Sequence, residues 1–184
     1  GDVKAMAPGA QVIGSENSSH AIIWTFQSAG ATARLKFSYD GGVTYEDVAP
    51  FSMNLSDYAY PYAPHTPTEL GLAKIIADDP TPFTDVFDQS DNHMTVAGIL
   101  MTAPTNGNVY TIGTVNNVGW LAAGPDDGTF DIARIYYSSD GVNYTNLIAT
   151  VGNSHAYAVG GAHGANAFNW AVSPLLDPST IARV

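Results

Sequence analysis

The chain carries the same strand–turn–strand element twice. The first copy reads Ala33-Arg34-Leu35-Lys36-Phe37-Ser38-Tyr39-Asp40-Gly41, and the second Ala133-Arg134-Ile135-Tyr136-Tyr137-Ser138-Ser139-Asp140-Gly141. In both, apolar and charged residues alternate and then give way to Asp-Gly. That is the pattern of a half-buried strand entering a tight turn, because glycine accepts the positive φ the turn needs. The repeat extends upstream, where one spacing separates Pro8 from Pro104 and Trp24 from Trp120. It extends downstream as well: Tyr60-Pro61-Tyr62-Ala63-Pro64 leads to Ala73-Lys74-Ile75-Ile76, and Asn169-Trp170-Ala171-Val172-Ser173-Pro174 leads to Ala182-Arg183-Val184. A chain that repeats at this period folds as an array of like units.

The units read as all-β. Apolar runs are short and rich in β-branched and aromatic residues, as in Ala21-Ile22-Ile23-Trp24 and Ile132-Ala133-Arg134-Ile135-Tyr136-Tyr137. Eighteen glycines and 11 prolines interrupt any long helical periodicity. The expected architecture is two tandem Ig-like antiparallel β-sandwiches, residues 1–97 and 98–184. The first copy continues past Ile76 to a last strand, His93-Met94-Thr95-Val96, whereas the second stops at Val184. The second sandwich is therefore expected to lack its final strand. Either the chain continues in a longer repeat protein, or another chain donates the strand. Residues Asp2 to Ala7 are the first donor candidate.

Charge excludes some functions. Six Lys+Arg against 17 Asp+Glu give a formal net charge of -11. Nucleic-acid binding and docking on anionic lipid both call for the opposite sign. Cysteine is absent, so there is no disulfide, thiolate metal site or Cys nucleophile. Gly1-Asp2-Val3-Lys4 has no apolar h-region, so no signal peptide is expected there. No run of apolar residues is long enough to span a bilayer as a helix.

Several residues are candidates for a site. Tyr58, Tyr60 and Tyr62 alternate along one extended segment and so share a face. Such a row can stack sugar rings or anchor a protein interface; it can equally cover the edge of a sandwich. Trp24 and Trp120 read as core anchors. Trp170 also reads as core, but the strand end that follows it makes it a candidate for partial exposure and interface contact. Asp78, Asp79, Asp85, Asp88 and Asp91 supply oxygen ligands of the kind Ca²⁺ takes, without EF-hand spacing. The bland reading of that stretch is a solvated loop, and no other cofactor is indicated. Asn17, Asn54 and Asn143 head Asn-x-Ser/Thr sequons, possible glycosylation points in a suitable secretory system. The five histidines show no metal spacing, and no nucleophile elbow or phosphate loop is present. Catalysis is not expected.

The residues that repeat also carry a resemblance. They are Trp24, Ser38, Asp40, Gly41, Tyr45, Ser90, Asp91 and Asn92, then Trp120, Ser138, Asp140, Gly141, Tyr144 and Trp170. Their pattern resembles the Ig-like or fibronectin-III-like repeats of bacterial and archaeal surface proteins. It is also similar to the Ser/Thr-rich, GPI-anchored cell-wall domain family of fungi. Tyr45 and Tyr144 stand where that family often has Trp, and the second copy lacks the Ser-Asp-Asn strand. The resemblance implies an extracellular or cell-surface module that is not an enzyme. The low charge and the abundance of Gly, Ala, Ser, Thr and Asn suit a densely packed extracellular polymer, so the expected role is structural: a repeat of a surface or filament protein that builds a stalk, sheath or fibre by strand pairing and domain stacking. Its partners would be copies of itself or neighbouring repeats. The alternative is an adhesin or a carbohydrate-binding accessory module that reads glycans with the tyrosine row.

Overall fold

The computed structural model describes residues 20–24, 32–48, 53–54, 58–78, 87–105, 107–155, 163–176, 179 and 183–184. Among these, every regular element is a strand. The fold is all-β, with antiparallel pairing in every register determined. No helix among the described residues is long and apolar enough to cross a membrane. Chain contacts divide the molecule into two compact units, Gly1–Gly98 and Ile99–Val184.

In the first unit, β1 (His20–Trp24) pairs with β5 (Tyr58–Tyr62). A larger sheet has the order β3 (Glu46–Asp47), β2 (Thr32–Ser38), β6 (Thr68–Asp78), β7 (Phe87–Gln89). Two short strands extend it: β4 (Met53–Asn54) on β2 and β8 (Met94–Val96) on β6. Period-two patterning decides which face is inside. Ala33, Leu35 and Phe37 on β2 are 0–1% exposed, and Ala73 and Ile75 opposite them on β6 are 0–4% exposed. The intervening Arg34, Lys36 and Lys74 occupy the other face.

In the second unit, β10 (Val115–Ala123) lies between β9 (Gly98–Ala103) and β13 (Gly164–Ala171). A separate ladder joins β11 (Ile132–Tyr137) to β12 (Asn146–Gly152), with a bulge where Ile135 faces Ala149 and Tyr136 faces Leu147. The two sheets share one core. Val118, Trp120 and Ala122 from β10 meet Ala133, Ile135 and Tyr137 from β11, closed by Trp170 and Val172. Burying each large side chain contributes about 1.5–3 kcal/mol. The Trp120 indole donates to Asn153 Oδ1 at 2.7 Å, and Asn153 Nδ2 donates to the Phe130 carbonyl at 2.6 Å. The Trp120 indole and the Asn153 side chain are thereby satisfied.

The repeat holds at the level of hydrogen bonds. Ser38 and Ser138 are 1% and 0% exposed, and each hydroxyl donates to the Asp two residues on, at 2.7 and 2.8 Å. Gly41 and Gly141 follow with φ of 76° and 73°. The Asp40 carboxylate accepts the Thr44 amide, and Asp140 accepts the amides of Val142 and Asn143. The shared part explains why Ser-x-Asp-Gly recurs: a buried hydroxyl and a carboxylate fold the turn around a positive-φ glycine, joined in the first copy by a second, Gly42 at 91°.

Candidate functional site

The most informative place is the edge of β11 that faces away from β12. In an antiparallel ladder, successive residues present their N–H and C=O to alternate sides. Ser138 exchanges both bonds with Arg183: its amide donates to Arg183 O at 2.8 Å and its carbonyl accepts from Arg183 N at 2.9 Å. By the same alternation, Tyr136, Arg134 and Ile132 present their backbone groups on that side too. Among the described residues, the Ser138–Arg183 bridge is the whole of the pairing on this edge.

The first unit shows what the edge is built to take. There β2 is paired along its full length with β6, from Ser38 opposite Leu72 to Thr32 opposite Asp78. Arg183 opposite Ser138 is thus the counterpart of Leu72 opposite Ser38. The sequence match of Arg183 with Lys74 is therefore two residues out of step. By that register Val184 is the counterpart of Ala73. Ala133, Ile135 and Tyr137 are 7–8% exposed, where Ala33, Leu35 and Phe37 are 0–1%.

The tyrosine row lies on β5, where Tyr58, Tyr60 and Tyr62 pair with Trp24, Ile22 and His20. Ile22 is 3% exposed. The ladder of β10 and β13 repeats this arrangement: Trp120 pairs with Asn166, Val118 with Phe168 and Asn116 with Trp170. The position of Tyr62 is thus that of Trp170. Trp170 takes its core reading rather than that of partial exposure. It is 6% exposed, with its ring 5.7 Å from Tyr137 and 6.1 Å from Tyr110. The strand end that suggested exposure is covered by Tyr110 folding over it from the β9–β10 connection.

Among the described residues, the acidic candidates are Asp78, Asp88 and Asp91, each at a different place on the first unit. Asp78 ends β6 opposite Thr32, Asp88 sits mid-β7 opposite Ile75, and Asp91 is exposed in the following turn. Asp79 and Asp85 lie outside the described residues. No group of three or more acidic or histidine side chains among the described residues could hold a metal ion. Of the sequons, Asn143 is exposed in the second turn, where its Nδ2 donates to Asp140 Oδ2 at 2.6 Å. Asn54 lies on β4 opposite Thr32, and Asn17 and the segment Asp2 to Ala7 fall outside the described residues.

Two groupings carry titratable chemistry the sequence did not single out. His65 Nε2 lies 3.0 and 3.1 Å from the two Glu46 oxygens, and its Nδ1 lies 2.9 Å from Thr66 Oγ1. The ring also rests against Tyr39, 4.9 Å between centroids. This surface grouping ties the β5–β6 crossover to β3. His155, 4% exposed, has Nε2 3.3 Å from Asp131 Oδ1. It closes the end of the second core beside Asn153. Both join residues far apart in sequence, which no local spacing reveals. No protein-family model, no curated protein and no solved structure matches the chain.

Proposed function

We propose that each unit is an Ig-like sandwich and that the chain is an extracellular structural module, a repeat that builds a stalk, sheath or fibre by strand pairing. One observation carries this reading: β11 offers an edge bonded only at Ser138 among the described residues, and its core side chains are more exposed than their β2 counterparts. Unpaired edges are normally blunted with charge, proline or a covering element. Here the edge continues the bridge already made by Arg183, so an incoming strand, from chain beyond Val184 or from a second copy, finds both register and direction set. The β9 strand adds to the case, with Ile99, Leu100 and Met101 at 52%, 37% and 41% exposure at the rim of its sheet. The rival glycan-binding reading needs an open tyrosine row. Its register positions match Asn166, Phe168 and Trp170 in the second unit, and the last of these is core.

The test is mass in solution by light scattering across protein concentration. The wild type is expected to form a ladder of oligomers. Arg134→Pro removes an amide from the open side of β11 without touching the bonds to β12, and proline is tolerated on such an edge. It is expected to abolish the ladder with the fold intact by circular dichroism. A wild-type chain that stays monomeric at every concentration refutes strand pairing.

A further inference from the structure

The open side of β11 has a definite register. Arg183 stands opposite Ser138 as Leu72 stands opposite Ser38, so Val184 falls opposite Tyr137 as Ala73 falls opposite Phe37. In the first unit the strand continues with Lys74, Ile75, Ile76 and Ala77, opposite Lys36, Leu35, Arg34 and Ala33. A strand that continues from Val184 in the same way lies opposite Tyr136, Ile135, Arg134 and Ala133. Its residues opposite Ile135 and Ala133 must be apolar, because both belong to the core.

The sequence contains such a segment. The stretch of β6 that covers β2 reads Ala73-Lys74-Ile75-Ile76-Ala77. The same pattern, apolar-Lys-apolar-apolar-Ala, occurs at Val3-Lys4-Ala5-Met6-Ala7, outside the described residues. Twelve residues, 8–19, separate it from β1. Fully extended, a tether of that length reaches about 40 Å, enough to carry the segment to a neighbouring molecule.

We propose that residues 3–7 of a second copy supply the strand that pairs with the open side of β11. The proposal rests on the strand-pairing reading and names its donor. In the register of β6, Lys4 lies opposite Tyr136, Ala5 opposite Ile135, Met6 opposite Arg134 and Ala7 opposite Ala133. Lys4 then takes the position directly after Val184, in the direction Arg183 already sets. Lys4 and Met6 bond through their backbones to Tyr136 and Arg134, while Ala5 and Ala7 face the core. The first unit sets Lys74 against Lys36, an unfavourable pair of like charges. Here Lys4 meets a tyrosine instead, whose ring attracts a cation. Pro8 follows opposite Ile132 and has no N–H to donate, so the pairing ends there. Between Val3 and Ala7 there is one cation and no acid, which favours approach to a chain of net charge -11.

The experiment is sedimentation velocity on the full chain across protein concentration. Deleting residues 2–7 removes the donor, Met6→Pro removes a donor amide that the pairing needs, and Arg134→Pro disables the acceptor. Each variant alone is expected to lose the association of the wild type, with the β signal intact by circular dichroism. An equimolar mixture of Arg134→Pro with either donor variant is expected to give a 1:1 complex and nothing larger, because one brings the donor and the other the acceptor. Ala5→Ile, which copies Ile75, is expected to tighten association about tenfold. Donor variants that associate like the wild type, while Arg134→Pro does not, overturn this donor and leave strand pairing standing. A mixture that stays monomeric overturns the proposal as well. A wild type that is monomeric at every concentration overturns strand pairing and its donor together.

Discussion

A single asparagine shows how much of the second core depends on one side chain. Asn153, 6% exposed, accepts from the Trp120 indole and donates to the Phe130 carbonyl, and its own amide donates to Asp131 O at 2.8 Å. Asn153→Ala leaves the buried indole N–H and the part-buried carbonyl without these partners. The expected cost is about 1–3 kcal/mol, since an orphaned buried polar group forfeits its hydration. A urea midpoint that falls with an unchanged slope would show it, and an unchanged midpoint would remove Asn153 from the account. None of this was legible in the chain. Trp120 reads as a core anchor from its apolar neighbours, but its partner lies 33 residues away. By contrast, the Ser38/Asp40 and Ser138/Asp140 turns were legible, because every bond in them spans four residues or fewer.

At the level of strands, period-two patterning placed β2 and β11 correctly, each with alternate core residues and an Asp-Gly turn at its end. The start of β6 at Thr68 was not legible. Thr68-Glu69-Leu70-Gly71 lacks a clean alternation, and Gly71 is there because its strand packs closely. A Cβ at that position would come within 2.8 Å of Met94 O and 2.9 Å of Met94 Cγ. The tyrosine row was half legible: alternation sets its period, but its pairing with β1 joins residues too far apart for a local pattern to show. The contrast between β2 and β11 has a direct signature in hydrogen exchange. The amides of Arg34 and Lys36 lie on the side of β2 that β6 occupies. Those of Arg134 and Tyr136 lie on the open side of β11. In dilute monomer the second pair is expected to exchange faster by orders of magnitude. On concentration into assemblies, Arg134 and Tyr136 should gain protection while Ala133 and Ile135, bonded to β12, stay unchanged. Equal protection of all four amides in the monomer would mean that the edge is already covered.

For the whole molecule, charge and fold respond to acid at different pH, and the order matters for assembly. The sequence pI is about 4.4, so mutual repulsion between copies disappears near that pH. The two turn carboxylates titrate lower. Hydrogen bonds from the Thr44 hydroxyl, the Thr44 amide and the Ser38 hydroxyl pull Asp40 from 3.8 down to about 2. Amides of Asn143 and Val142, with the Asn143 side chain and the Ser138 hydroxyl, pull Asp140 down as well. A carboxyl depressed by folding stabilises the fold fully above its unfolded value and loses that contribution as pH falls through its folded value. For Asp40 the window runs from 3.8 down to about 2. At pH 4.4 both turns therefore remain ionised and bonded while the net charge has gone. Acidification should drive association of folded chains first and unfold them only later. Light scattering and circular dichroism recorded together from pH 7 to pH 2 separate the steps. Scattering is expected to peak near pH 4.4 with the β signal intact, and the signal to fail only toward pH 2. Loss of the β signal before any rise in scattering would mean that the turns do not hold the fold in acid and that association follows unfolding.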